Sequence, residues 1–301
     1  MHTMDSRPAP PARPKVTVPA VLARKGGEKL TMVTAYDHPS ARIAGAAGID
    51  IILVGDSVGN VVHGLDTTLG VTVEMMVLHA AAVTRAKPHS LIVVDMPWMS
   101  FHVSREETIH NGGRLVQEGG AEAVKVEGGR KRIDMIEALI AAEIPVMGHL
   151  GLTPQSINSM GGFKVQGRDL EAAHGLVEDA KALEAAGVFA IVLEGIPDVV
   201  ADTVTASVGV PTIGIGAGAG TDGQVLVFHD VLGLGSGRYP KFVRSYADLG
   251  DQAVAALERF ADDVRQGLFP AEAEIYHMAD DAAAAFLQGE TKSEFLLPFA
   301  Y

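Results

Sequence analysis

Short apolar runs recur along the chain, and helix-like stretches fill the intervals. The runs are residues 30–35, 50–54, 91–94, 123–126, 145–148, 189–193, 211–215 and 225–228. Each is rich in β-branched residues and too short for a helix, so the pattern predicts eight strands. Apolar residues at helical spacing predict helices over 40–47, 73–87, 104–118, 130–142, 169–186 and 197–208. Thr72 is placed to cap the second of these, and Ser104-Arg-Glu-Glu107 has the form of a capping box at the third. Gly48, Gly120 and Gly187 stand where helices must stop, because glycine tolerates the left-handed C-cap conformation. Strand–helix alternation repeated about eight times predicts a parallel (β/α)8 barrel. An open doubly wound sheet is the alternative, but the nucleotide fingerprint that usually follows its first strand is missing.

Composition narrows the picture. Hydrophobic residues make up 48% of the 301 and aromatics only 5%, so the core is built from Val, Ile, Leu and Ala, which suits parallel strands buried on both faces. A formal charge of −13 argues against nucleic acid, which needs clustered Lys and Arg. With no cysteine, disulfides, thiolate nucleophiles and zinc–thiolate sites are excluded, and a reducing compartment fits. No run approaches the roughly 18 apolar residues of a membrane span. Residues 1–15 read as a Pro-rich arm, mobile or ordered against a neighbouring subunit, and 16–301 as one catalytic barrel domain with a helical tail from Tyr246. The apolar end, Phe295-Leu-Leu-Pro-Phe-Ala-Tyr301, is expected to cover part of the barrel or a subunit contact.

In such a barrel, chemistry sits at the C-terminal ends of the strands. Asp37, Asp56, Asp95, Glu127 and Glu194 each follow an apolar run there. One such acid is ordinarily a helix N-cap. A ring of them repels itself unless a cation or protons intervene, and magnesium suits an all-oxygen site. Lys125 lies two residues before Glu127, so both should face the lumen. It can hold an anionic substrate, form a Schiff base or make a structural ion pair; without a second lysine nearby, an amine of lowered pKa is disfavoured. His149 ends the fifth run and is either structural or a participant; zinc is disfavoured because no second histidine stands at metal spacing. His102 and His110 fall in a helical region with no assigned role. The glycines of 214–220 fit a phosphate cradle less well than the close approach of a flat ligand or another backbone.

With these residues in view, the chain resembles the ketopantoate hydroxymethyltransferase family from about Lys15 to Phe299. The motifs are Thr34-Ala-Tyr-Asp37, Val54-Gly-Asp-Ser-Val-Gly-Asn60, Val94-Asp-Met-Pro97, Lys125-Val-Glu-Gly-Gly129, Gly148-His-Leu-Gly-Leu-Thr-Pro-Gln155, Leu193-Glu194, Ile213-Gly-Ile-Gly-Ala-Gly218 and Thr221-Asp-Gly-Gln224. The resemblance implies a barrel of the phosphoenolpyruvate mutase/isocitrate lyase type with extra C-terminal helices. It implies one Mg2+ per subunit and transfer of a hydroxymethyl group from 5,10-methylenetetrahydrofolate to 3-methyl-2-oxobutanoate in pantothenate and coenzyme A biosynthesis. Asp56, Asp95 and Glu127 match its metal acids, reaching the ion directly or through water. Asp56, Ser57, Asp95 and Lys125 match its keto-acid contacts, and Glu194 its proton acceptor. His149 is left to the folate side or a proton relay. A cytoplasmic homodecamer is further implied. The alternatives are a magnesium-dependent mutase or lyase acting on another 2-oxo acid, and a non-catalytic barrel. The lyases of that group lean on a cysteine, which this chain lacks; loss of catalysis would ordinarily remove the rim carboxylates, which remain here.

Overall fold

A computed structural model of the chain describes residues 13–235 and 239–289. Eight parallel strands close into a barrel in chain order: β1 Leu30–Thr34, β2 Ile51–Val54, β3 Leu91–Asp95, β4 Ala123–Glu127, β5 Val146–Gly151, β6 Ala190–Glu194, β7 Thr212–Ile215 and β8 Gly223–Leu226, with β8 pairing back to β1. Alternation along each strand sorts side chains into two layers. Ile52, Val94, Val126, Ile191 and Leu193 face the helices, whereas Ile51, Leu53, Val93, Met147, Val192 and Ile213 fill the lumen. The short helix Val18–Leu22 plugs the lower end, with Val21 fully buried in the lumen cluster.

The outer helices begin where their caps dictate. Asp37 accepts from the Ser40 amide at the start of His38–Ala47, Thr72 from the Met75 amide ahead of Val73–Thr84, and Ser104 from the Glu107 amide ahead of Arg105–Gln117. Gly48 and Gly187 terminate His38–Ala47 and Leu170–Ala186 with φ of 83° and 99°. Ile133–Ala141 and Asp198–Ser207 complete the set, the former preceded by a 3-10 turn, Arg130–Arg132.

Several expectations shift. β5 runs on to Gly151, three residues past the predicted end, because His149 and Gly151 pair with Val192 and Glu194 of β6. β8 lies two residues earlier than expected, and Phe228 instead opens the helix Phe228–Leu232. His102 lies in the loop ahead of Arg105–Gln117, not in a helix, with its ring 4.2 Å from that of Phe101. Residues 1–12 of the expected arm lie outside the described residues, but Lys15 is tied down: its ammonium donates to the Ser90 carbonyl at 2.7 Å and to Glu122 at 2.6 Å.

Residues 249–289 belong to a separate compact unit. It holds the helices Leu249–Gln266 and Asp280–Leu287, the former with apolar residues at Val254, Leu257, Phe260 and Val264. The apolar end, Phe295 to Tyr301, lies outside the described residues. No helix among the described residues is long and apolar enough to cross a membrane.

Candidate active site

At the C-terminal mouth of the barrel lies a cavity of about 860 Å³. Asp56, Asp95, Lys125, Glu127, His149 and Glu194 all line it, and all but Glu194 are buried. Alternation explains the convergence. Lys125 and Glu127 share the inward register of β4, Asp95 that of β3 with Val93, His149 that of β5 with Met147, and Glu194 that of β6 with Val192. Asp56 follows β2 in a turn and is held by its own amide, which donates to Asp95 Oδ2 at 3.0 Å.

Two residues bind the acids together. The Lys125 ammonium stands 3.0 Å from Asp95 Oδ1 and 3.0 Å from His149 Nδ1. Gln155 donates its side-chain amide to Asp56 Oδ2 at 2.8 Å and to the Met96 carbonyl at 2.9 Å, while its backbone amide donates to Glu127 Oε2 at 3.0 Å. His149 is central: Glu127 Oε1 lies 3.4 Å from its Nδ1 and Glu194 Oε2 lies 3.2 Å from its Nε2. When the ring is neutral, Lys125 donating to Nδ1 leaves the ring N–H on Nε2, facing Glu194. Tyr36, also buried, brings its hydroxyl to 2.8 Å from Ser57 Oγ.

The electrostatics follow from three acids sharing one buried lysine. Burial, then the charges of Asp95 and Glu127, push the Asp56 carboxyl well above the usual aspartate range. Burial also raises Asp95, although Lys125 opposes it. Glu127 goes the other way: burial works against its charge, but hydrogen bonding with His149 and the nearby Lys125 hold it below the usual range. Burial acts to discharge Lys125, and the surrounding carboxylates outweigh it, so its pKa rises. His149 is raised by Glu127 and Glu194 against burial and Lys125.

A hard cation fits this donor set. Gln155 Oε1 is buried without a partner among the described residues, and Asp95 Oδ1 has only the Lys125 ammonium, 3.0 Å away. The crowded oxygens call for more positive charge than Lys125 supplies. Among the described residues, no three acidic or imidazole side chains enclose a cation by themselves. Magnesium needs no such cage, since it commonly takes one or two carboxylates and completes its octahedron with water and substrate.

Not every rim acid belongs. Asp37 lies outside the cavity lining and accepts from Ser40 at the start of its helix, so here the ordinary capping role holds. His102 also stays out of the lining, with its pKa pushed down to about 4 by burial and by Arg132. The glycine-rich loop after β7 is explained by close approach. A side chain at Gly216, where φ is 60°, would come within 2.7 Å of the Phe242 ring, and one at Gly218 within 2.6 Å of Asp198. Gln155 and Tyr36 escaped assignment in the sequence; neither carries a charge, although both sit inside the quoted motifs.

The ketopantoate hydroxymethyltransferase family model matches residues 15–272. The chain belongs to this family. A 3-methyl-2-oxobutanoate hydroxymethyltransferase of Bradyrhizobium diazoefficiens is 57% identical over 267 residues, covering 88% of this chain and 91% of the relative. One from Pelobacter propionicus is 54% identical, covering 86% and 97%, and one from a Methylobacterium species is 53% identical, covering 94% and 99%. This member of the family is therefore an enzyme of the transferase class. Solved structures share its barrel fold. A 2,3-dimethylmalate lyase aligns with a TM-score of 0.54 at 16% identity, covering 90% of this chain and 98% of that one. An oxaloacetate acetylhydrolase in complex with the product oxalate gives 0.56 at 13%, covering 92% and 99%. At such identities the likeness is one of fold alone.

Proposed function

We propose that this enzyme transfers a hydroxymethyl group from 5,10-methylenetetrahydrofolate to 3-methyl-2-oxobutanoate, giving ketopantoate for pantothenate and coenzyme A biosynthesis. The observation that carries the reading is the cavity's layout. Buried acids and a buried lysine occupy one wall, and Glu194, with 16% of its side chain exposed, stands beside His149 at the lip. Membership in the family and the names of its relatives support the substrate.

Lys125 and Ser57 bind the substrate carboxylate, the lysine by charge and the hydroxyl by hydrogen bonding. Asp56, Asp95 and Glu127 are the residues that would hold one Mg2+ per subunit, directly or through water. When bound, the ion supplies Lewis-acid stabilisation of the charge that develops on the keto oxygen. Glu194 removes the C3 proton, and His149 Nε2 orients the carboxylate that receives it. Water opens one of the two carbon–nitrogen bonds of the folate methylene, its oxygen becoming the hydroxyl and its proton going to the freed nitrogen. C3 then bonds to that carbon as the second carbon–nitrogen bond breaks, and the proton taken by Glu194 passes to the second nitrogen. The apolar residues Leu152 and Ile196 exclude bulk water from the neighbourhood of Glu194. A cytoplasmic decamer is part of the same proposal and is tested by measuring the mass of the native assembly.

Proton exchange tests the chemistry. With magnesium present in D2O, the enzyme should exchange the C3 proton of 3-methyl-2-oxobutanoate, and Glu194→Gln should lose this by about a hundredfold or more while still binding the keto acid. Undiminished exchange in that variant removes Glu194 as the base.

A further inference from the structure

A branched keto acid of a few atoms leaves most of an 860 Å³ cavity free, since that volume falls in the upper part of the roughly 300–1,000 Å³ range that holds drug-sized ligands. Beside the acids, the lining includes the apolar side chains of Phe163, Val165, Ile196 and Phe242. Phe163 and Val165 are 63% and 52% exposed, so barrel packing does not account for them. Phe242 packs on the top of the lumen cluster against Gly216, where only a glycine leaves it room.

Asp230 stands in the same lining, in the first turn of the helix Phe228–Leu232. Its backbone carbonyl accepts from Ser245, but its half-buried carboxylate has no hydrogen-bond or ion-pair partner among the described residues. Burial alone raises its pKa. The other outer acid, Asp198, is engaged with the Val199 amide. A half-buried carboxylate without a donor gains stability when one arrives. Besides Lys125, the lysines in the lining are Lys164 and Lys241, both exposed and neither ion-paired among the described residues.

Resting on the reading of this enzyme as a methylenetetrahydrofolate-dependent transferase, we propose that the outer half of the cavity is the pterin pocket. Asp230 pairs with the amino-pyrimidine edge of the ring, and Lys164 and Lys241 meet the carboxylates of the glutamate tail. The edge offers adjacent N–H donors that match a carboxylate's two oxygens. Donors at that edge restore the charged form that burial disfavours. The flat ring lies against the Phe163 and Phe242 walls.

Two reactions of the intact enzyme with magnesium separate the possibilities: folate-free C3 exchange of 3-methyl-2-oxobutanoate, and full transfer from 5,10-methylenetetrahydrofolate. Asp230→Asn should raise the KM for the folate about tenfold or more, the loss expected of a charge-assisted hydrogen bond, with exchange and keto-acid KM unchanged. Lys164→Ala/Lys241→Ala should raise the folate KM severalfold and flatten its dependence on salt. An unchanged folate KM in these variants, or a parallel rise in the keto-acid KM, overturns the pocket. If Asp230→Asn also loses exchange, the exposed lysine pair decides alone. Wild-type enzyme that exchanges C3 but never consumes the folate overturns the donor reading, and the pocket falls with it; transfer intact in wild type and in every variant overturns the pocket only.

Discussion

Replacing Lys125 with Met removes the buried cation while keeping the apolar stem in the lumen. Lys125 Nζ lies 3.0 Å from Asp95 Oδ1. At an effective dielectric of about 20, two unit charges at that distance attract by roughly 5–6 kcal/mol. Desolvation offsets part of this in the intact pair, but stripping one partner leaves the other charges uncompensated, a loss of about 3–5 kcal/mol. The acids can escape part of it by taking up protons, which fixes the sign of the pH dependence. Asp56 and Asp95 already have raised folded pKa values, and losing Lys125 raises them further. Between the unfolded pKa of an aspartate and the raised folded value, the native state holds more protons than the unfolded state, so stability falls as pH rises. The metal-free variant should therefore sit near wild type at about pH 5 and be several kcal/mol weaker at about pH 8. Magnesium at about a hundred times its Kd should return roughly 2.7 kcal/mol. Urea unfolding across pH, with and without magnesium, reads all three quantities. A Met variant as stable as wild type at the higher pH, or a deficit that shrinks with pH, refutes the idea that Lys125 neutralises ionised acids.

Further outcomes follow from the same geometry. Magnesium binding should release protons and tighten as pH climbs through the raised pKa values of Asp56 and Asp95, which calorimetry in buffers of differing ionisation enthalpy detects. Gln155→Leu should weaken magnesium binding, because it frees Asp56 Oδ2 from its 2.8 Å donor and leaves Asp56 less fixed; equal affinity by titration counts against that role. Gly216→Ala should cost more than about 1 kcal/mol, since φ is 60° and the new methyl would press on Phe242, which thermal unfolding measures. Asp37→Ala should cost about 1 kcal/mol of stability through its lost cap and leave turnover unchanged; a fall in kcat would return Asp37 to the site.

The barrel was legible because each short β-branched run is one strand, and closure needs only their number and order. Boundaries blurred where glycine carries the backbone. A side chain at Gly223 would come within 2.6 Å of the Leu30 carbonyl, so β8 begins on a residue that gives no apolar signal, and the predicted run slid toward Phe228. Gly148 looked like an end to β5, yet it sits mid-strand because Leu183 packs against it. The inward acids on β3, β4 and β6 could be placed from register alone. Asp37 could not be told from them, since an acid after a strand can face the lumen or turn back to cap the next helix. Gln155 lies in the 3-10 turn Pro154–Ser156 after β5 and Asp230 in the helix Phe228–Leu232 after β8, and that both reach the mouth is a matter of tertiary folding that local spacing does not encode.

The central claim is that Asp56, Asp95 and Glu127 gather around an ion that a 2-oxo acid also grips. A crystal of the enzyme grown with magnesium and 3-methyl-2-oxobutanoate addresses it directly. The expected map shows an octahedral ion about 2.0–2.1 Å from one or two of these carboxylates, the keto acid within reach of Lys125, and C3 turned toward Glu194. A keto acid bound elsewhere in the chain, or an ion touching none of the three acids, contradicts the account.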